Sequence, residues 1–216
     1  MADQKECGFI DLVGKRIVPD ELEILYSEPF SEETLTRDFD IRGGEWTVSD
    51  GWLTGKNPEN DVKMIISRAE YFGDVFLDFR ARTVLPSTHD ICVMWNGQWD
   101  YETNQQGASY VAAVAGWWDG KVGVEKSPDF TFNALSGLFS FEPGRIYHIQ
   151  CGCVDGVAFL VIDGKLAIEV NDPDPIDTST HGLIGFEAYA STSQITDLKI
   201  KRAVYTPIHK EYPPEF

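Results

Sequence analysis

The 216-residue chain carries 35 acidic against 18 basic residues, a net charge of −17 at pH 7, and 43% of it is hydrophobic. That length and apolar content suit one domain with a sizeable core, or two small ones. The acidic surplus repels a phosphate backbone or an anionic lipid surface, which argues against nucleic-acid and membrane partners.

No window approaches the roughly 18 apolar residues a membrane helix needs, and the start, MADQKECGFIDLVGKR, lacks the basic-then-apolar order of a signal peptide. The expected location is cytoplasmic. Residues 1–24 read as an N-terminal extension, packed on the domain or partly disordered. From there helix signals are few and short strand signals many. Asp50-Gly51 predicts a tight turn joining EWTV to WLTG. Alternating or nearly alternating runs follow at 75–83, 89–95, 109–117, 146–154, 157–163, 166–170, 182–190 and 194–204. Asp155-Gly156 and Asp163-Gly164 supply the positive φ that tight hairpins require, which makes 146–170 a three-strand meander. NDPDPIDTSTHG, 171–182, is too rich in Pro and Asp for a regular strand and reads as a long loop. Residues 205–216 read as a tail. The fold class expected for 25–204 is all-β, an antiparallel β-sandwich jelly roll.

The four cysteines are Cys7, Cys92, Cys151 and Cys153. Alternation points the thiols of Cys151 and Cys153 to one face of a strand, where small buried hydrophobes are the simple reading. Without a second C-x-x-C or a nearby pair of histidines, a metal site there lacks ligands.

The W-x-V-x-D-G-x-L pattern (Trp46, Val48, Asp50, Gly51, Leu53), the D-G-K hairpin at 163–165, and G-x-I-G-F followed by a D-L-K-I strand carry a resemblance. Over about 24–203 the chain resembles the concanavalin A-like lectin/glucanase jelly rolls, and within them the YesU-like proteins and the 3-keto-glycoside hydrolase domain family. The resemblance implies a concave face that binds glycan, and a carbohydrate-related role that leaves cleavage or mere binding open. It also implies that the segment after G-x-I-G contributes Glu187 and Tyr189 to a sugar site. Jelly rolls of this kind often hold one structural calcium near the last strand, where Asp197 stands; oxygen ligands and an acidic chain suit that ion. No other cofactor is expected.

Four of the six tryptophans fall within 94–127. Trp95, Trp99, Trp117 and Trp118 are candidate stacking platforms, because sugars lay their C–H faces on aromatic rings; the alternative is a structural role for all four. Adjacent Trp117 and Trp118 face opposite ways in an extended chain, so a one-sided sheet cannot bury both. Between 89 and 95, His89, Ile91, Val93 and Trp95 share one face, and Asp90, Cys92, Met94 and Asn96 the other. Asn96 and Lys126 join the expected groove lining.

Glycoside hydrolysis commonly needs two carboxylates. The E-x-D-x-x-E strand motif of family 16 glycosidases is absent, so candidates come from different segments: Asp90, Asp100, Glu102, Glu125 and Glu187. In GLIGFEAYA the apolar set Ile184, Phe186, Ala188 and Ala190 reads as core, which turns Glu187 and Tyr189 to the opposite face. Val122 and Val124 as core likewise turn Glu125 outward. His89 is a candidate base or donor working with a carboxylate from another strand; His148 and His181 rank lower. The functional expectation is a carbohydrate-active protein that hydrolyses, or cleaves by elimination, a small saccharide or glycoside, with Glu187 or Glu125 as acid/base. The alternatives are a non-catalytic sugar-binding module, or a structural subunit whose exposed aromatics form a homo-oligomer interface.

Overall fold

The computed structural model describes residues 8–116 and 120–209. Two antiparallel sheets face each other. The first has seven strands in the order Asn133–Ser136, Val122–Ser127, Ser109–Val114, Ile91–Gly97, Leu183–Ala188, Lys63–Ser67 and Phe39–Ile41. The second runs Lys165–Asn171, Val157–Ile162, Tyr147–Val154, Val75–Thr83, Ser191–Arg202, Trp52–Asn57 and Glu45–Ser49, with Ile24–Tyr26 also paired to Ser191–Arg202. A short α-helix, Glu32–Asp38, is started by a capping box in which Ser31 and Thr34 satisfy each other's backbone N–H. The jelly-roll β-sandwich expected from the sequence is the fold.

Alternation explains the layers. Leu77, Phe79, Cys151, Leu160 and Ile195 of the second sheet and Ile65, Val93, Tyr110, Val124 and Phe186 of the first are buried in one central core. Phe79 meets Phe186 edge to face with ring centroids 5.4 Å apart, the preferred geometry for two ring quadrupoles. Cys151 and Cys153 point into this core and their thiols are pushed up in pKa, chiefly by burial, so they behave as inert hydrophobes. Their shared face is the one the sequence predicts.

The hairpins are those the Asp-Gly dipeptides announce. Asp50-Gly51, Asp155-Gly156 and Asp163-Gly164 each have positive φ at both residues, at 51° and 77°, 47° and 74°, and 49° and 75°. That pairing matches the right-handed twist of the strands they join. The 171–182 segment is irregular as expected, yet it is tied inward. Tyr110 donates its hydroxyl to Asp172 Oδ2 at 2.8 Å and accepts the Ile176 N–H at 3.1 Å, and Ile176 itself enters the core.

The first and last described strands share a sheet. Ile10–Leu12, Lys15–Ile17 and Thr206–Pro207 form a small sheet of their own. Leu12, Ile17 and Leu22 then pack on Phe76 and Phe159, on the outer face of the larger sheet. Lys201, buried in the same region, donates to Pro19 O at 3.0 Å.

Candidate functional site

The seven-stranded sheet has a second face, turned away from the core, and it is divided in two. On one half Met64, Ile66, Met94, Val111 and Leu183 make a small apolar cluster, with Trp99 packed against it. Trp99 sits on the short hairpin formed by Trp99–Asp100 and Gln105–Gln106, and its Nε1 donates to Asn104 Oδ1 at 3.3 Å. The other half is a cavity of about 420 Å³ into which three carboxylates converge: Asp90, Glu125 and Glu187.

Each carboxylate is placed by register. Glu187 is in mid-strand, opposite Cys92 on one side and Met64 on the other, and Phe186 before it fills the core. Odd and even positions of that strand therefore serve two opposite environments. Glu125 lies opposite Val111 and Asn133, and its Oε1 accepts from Ser127 Oγ at 3.1 Å. Asp90 precedes the Ile91–Gly97 strand with φ of 78°. Its Oδ1 accepts from Cys92 Sγ at 3.0 Å and its Oδ2 from the Tyr189 N–H at 3.2 Å. Gly116 closes over it: a Cβ there would lie 2.6 Å from Ala113 Cβ and 3.1 Å from Asp90 Oδ1.

Taking acids out of water disfavours their charged form, and acids that share a site disfavour it further. Burial, then the nearby charges of Asp90 and Glu125, push Glu187 up to about 8. Burial also raises Asp90, against hydrogen bonds that lower it. The Cys92 thiol is driven well above its usual range by burial and by Asp90 and Glu187, so it is no nucleophile at neutral pH. Glu187 is thus a carboxylic acid with a proton to give near pH 7. Among the described residues it accepts no hydrogen bond. No lysine or arginine is among the described residues that line the cavity; His89 is, half-buried, and Tyr189 and Phe130 stand at the exposed side.

The structure therefore brings together Glu187, Glu125, His89 and Tyr189, and separates the other expected residues from them. Trp95 is fully buried in the central core, stacked on Tyr110 with centroids 5.9 Å apart. This corrects the expectation of a sugar platform: its strand partners Ile91 and Val93 are core, and alternation takes Trp95 with them. Asn96 is also fully buried, donating to Gly73 O at 3.0 Å and His181 O at 3.2 Å, so it clamps two loops and lines no groove. Lys126 shares the inward face of Val122 and Val124, and its ammonium pairs with Asp172 at 3.2 Å. Trp99 borders a different depression, beside Arg68 and Tyr101. Trp117 and Trp118 lie outside the described residues. Asp197 is an exposed bulge residue, φ 56°, with Arg80 Nε 3.8 Å from its carboxylate. One solvated carboxylate facing a guanidinium does not fit a calcium site, and among the described residues no three His, Cys, Asp or Glu side chains are grouped to hold a metal.

Asp90 and Cys92 complete the lining; alternation along 89–95 places the two on one face, but their pairing with Glu187 is a register between distant segments that no single run of residues announces.

No family model matches the sequence, and no curated protein does. Solved structures do. A protein of unknown function with a galectin-like fold from Bacillus subtilis superposes with a TM-score of 0.63 at 15% identity, over 84% of this chain and 97% of that one. The carbohydrate binding module CBM66 from Bacillus subtilis gives 0.59 at 14%, over 76% and 94%. The Emp46p carbohydrate recognition domain gives 0.60 at 13%, over 85% and 99%. At these identities the likeness establishes the architecture, a jelly-roll β-sandwich, and nothing finer.

Proposed function

We propose that this chain is a carbohydrate-active protein that takes a small saccharide or glycoside into the cavity beside Asp90, Glu125 and Glu187. We further propose that it cleaves the ligand there, with Glu187 as proton donor. The observation that carries the reading is Glu187: a buried carboxylic acid, protonated near neutrality, facing a cavity with two more carboxylates. In hydrolysis the Glu187 proton passes to the departing glycosidic oxygen as the C–O bond breaks, while Glu125 or His89 takes a proton from the attacking water. In elimination the same base instead removes a ring proton made acidic by an adjacent carbonyl, the C–H electrons form a C=C bond, and the C–O bond breaks as Glu187 protonates the leaving oxygen. Tyr189 and Phe130 offer the ring faces on which a sugar can lie. Kinship with the YesU-like and 3-keto-glycoside hydrolase relatives is part of this proposal, supported by the G-x-I-G-F motif that leads directly into Glu187. The carbohydrate-binding neighbours lend it the same fold and no more.

The test is incubation with mono- and oligosaccharides and glycosides, following tryptophan fluorescence and product formation together. Saturable binding with products, lost in Glu187→Gln while binding persists, is the expected result. Binding without products replaces the enzyme with a lectin-like module, and no binding across the panel removes the reading.

A further inference from the structure

We propose that the saccharide this cavity selects carries a free, positively charged amino group, as in an amino sugar, seated among Glu187, Asp90 and Glu125; this rests on the saccharide reading above. Sign is the first argument. Three carboxylates line the cavity, and among the described residues His89 is its one basic side chain. The nearest candidate cation by sequence, Lys126, is turned through the sheet to Asp172. A uronate or a phosphorylated sugar would bring a further negative charge into a space with little to compensate it, a desolvation cost without a return. A neutral sugar offers only hydroxyls.

Glu187 is the second argument, and it is independent of the count of acids. The residue is 8% exposed, lines the cavity, and accepts no hydrogen bond from a described residue. Asp90 by contrast already has two donors. An ammonium group entering the cavity can donate N–H groups to the carbonyl oxygen of the Glu187 carboxyl, which keeps its proton, with the Asp90 and Glu125 carboxylates beside it. The third argument is the rim. Phe130 is 57% and Tyr189 40% exposed beside the carboxylates, and aromatic faces attract a cation as well as a sugar ring.

Calorimetric titration of the full chain at pH 7 with glucosamine, glucose, N-acetylglucosamine and glucuronate tests this. Glucosamine should bind about tenfold or more tighter than glucose, the usual scale for a hydrogen bond to a charged partner. N-acetylation should remove the advantage, and glucuronate should bind weakest. Glu125→Gln, close in size, should keep its melting temperature and bring the glucosamine-to-glucose ratio near one. Equal affinity for glucose and glucosamine overturns the amine inference and leaves the saccharide reading standing. If none of the four sugars binds, both fall. Calcium chloride that binds saturably and displaces glucosamine overturns it too, by making the cluster a metal site.

Discussion

Glu187 shows how one residue's alternation decides its chemistry. Its neighbours Phe186 and Ala188 fill the core, and the opposite face holds the acid where solvent is scarce. A carboxyl raised from 4.5 to about 8 is protonated in the folded chain over a range where it would be ionised in the unfolded one. The folded state then holds the extra proton, so stability falls as pH rises between those values. Carboxylates with lowered values, such as Asp38, Asp100 and Asp177, work the other way, but their stabilisation is essentially complete by about pH 5 and adds little slope above it. Stability should therefore decline from pH 5 to pH 8 on the order of a few kcal/mol. Glu187→Gln should flatten most of that decline and leave the variant more stable than the parent at pH 8. Urea unfolding at pH 5, 6.5 and 8 measures it; parallel curves for the two proteins would mean that Glu187 is ionised in the folded state.

At the scale of elements, strands and turns were legible because their signals are local. The three Asp-Gly turns needed only a dipeptide with positive φ, and Val75–Thr83 needed only its own alternation. Gly156→Ala places a side chain at φ 74°, and should cost about 1–2 kcal/mol without altering the strands. The site was legible only in part, because it depends on pairing between distant segments. Glu187 and Cys92 are neighbours through a register that no run of residues announces. Trp95 misled because its chemistry suits a sugar platform while its parity with Val93 puts it inside. The loop 171–182 reads as surface by composition, yet Tyr110 draws it in through two hydrogen bonds. Tyr110→Phe would leave the Asp172 carboxylate and the Ile176 N–H short of a buried partner, at about 1–3 kcal/mol. Chemical denaturation should show that loss, with faster hydrogen exchange along 172–180; a change below about 0.5 kcal/mol would mean that water replaces the hydroxyl.

For the whole molecule, the arrangement assigns opposite duties to the two outer faces. The outer face of the larger sheet is apolar around Phe76, Phe159 and Val161, and the chain's own head covers it with Leu12, Ile17 and Leu22. The outer face of the smaller sheet keeps a cavity lined by charge. A sandwich needs both outer faces to meet water or be covered, and here the terminal extension does the covering on the side away from the carboxylates. Each of those aliphatic side chains contributes roughly 1.5–3 kcal/mol on full burial, before the entropy of ordering the head is subtracted. Removing residues 1–22 should therefore lower Tm by at least about 5 °C and promote association through the uncovered Phe76 and Phe159, while the tryptophan response to saccharide persists at concentrations where the shortened chain is monomeric. Light scattering, calorimetry and titration of the shortened chain separate the two duties. An unchanged Tm would make the head a passenger, and loss of saccharide response in a folded monomer would show that the two faces are coupled through the core between them.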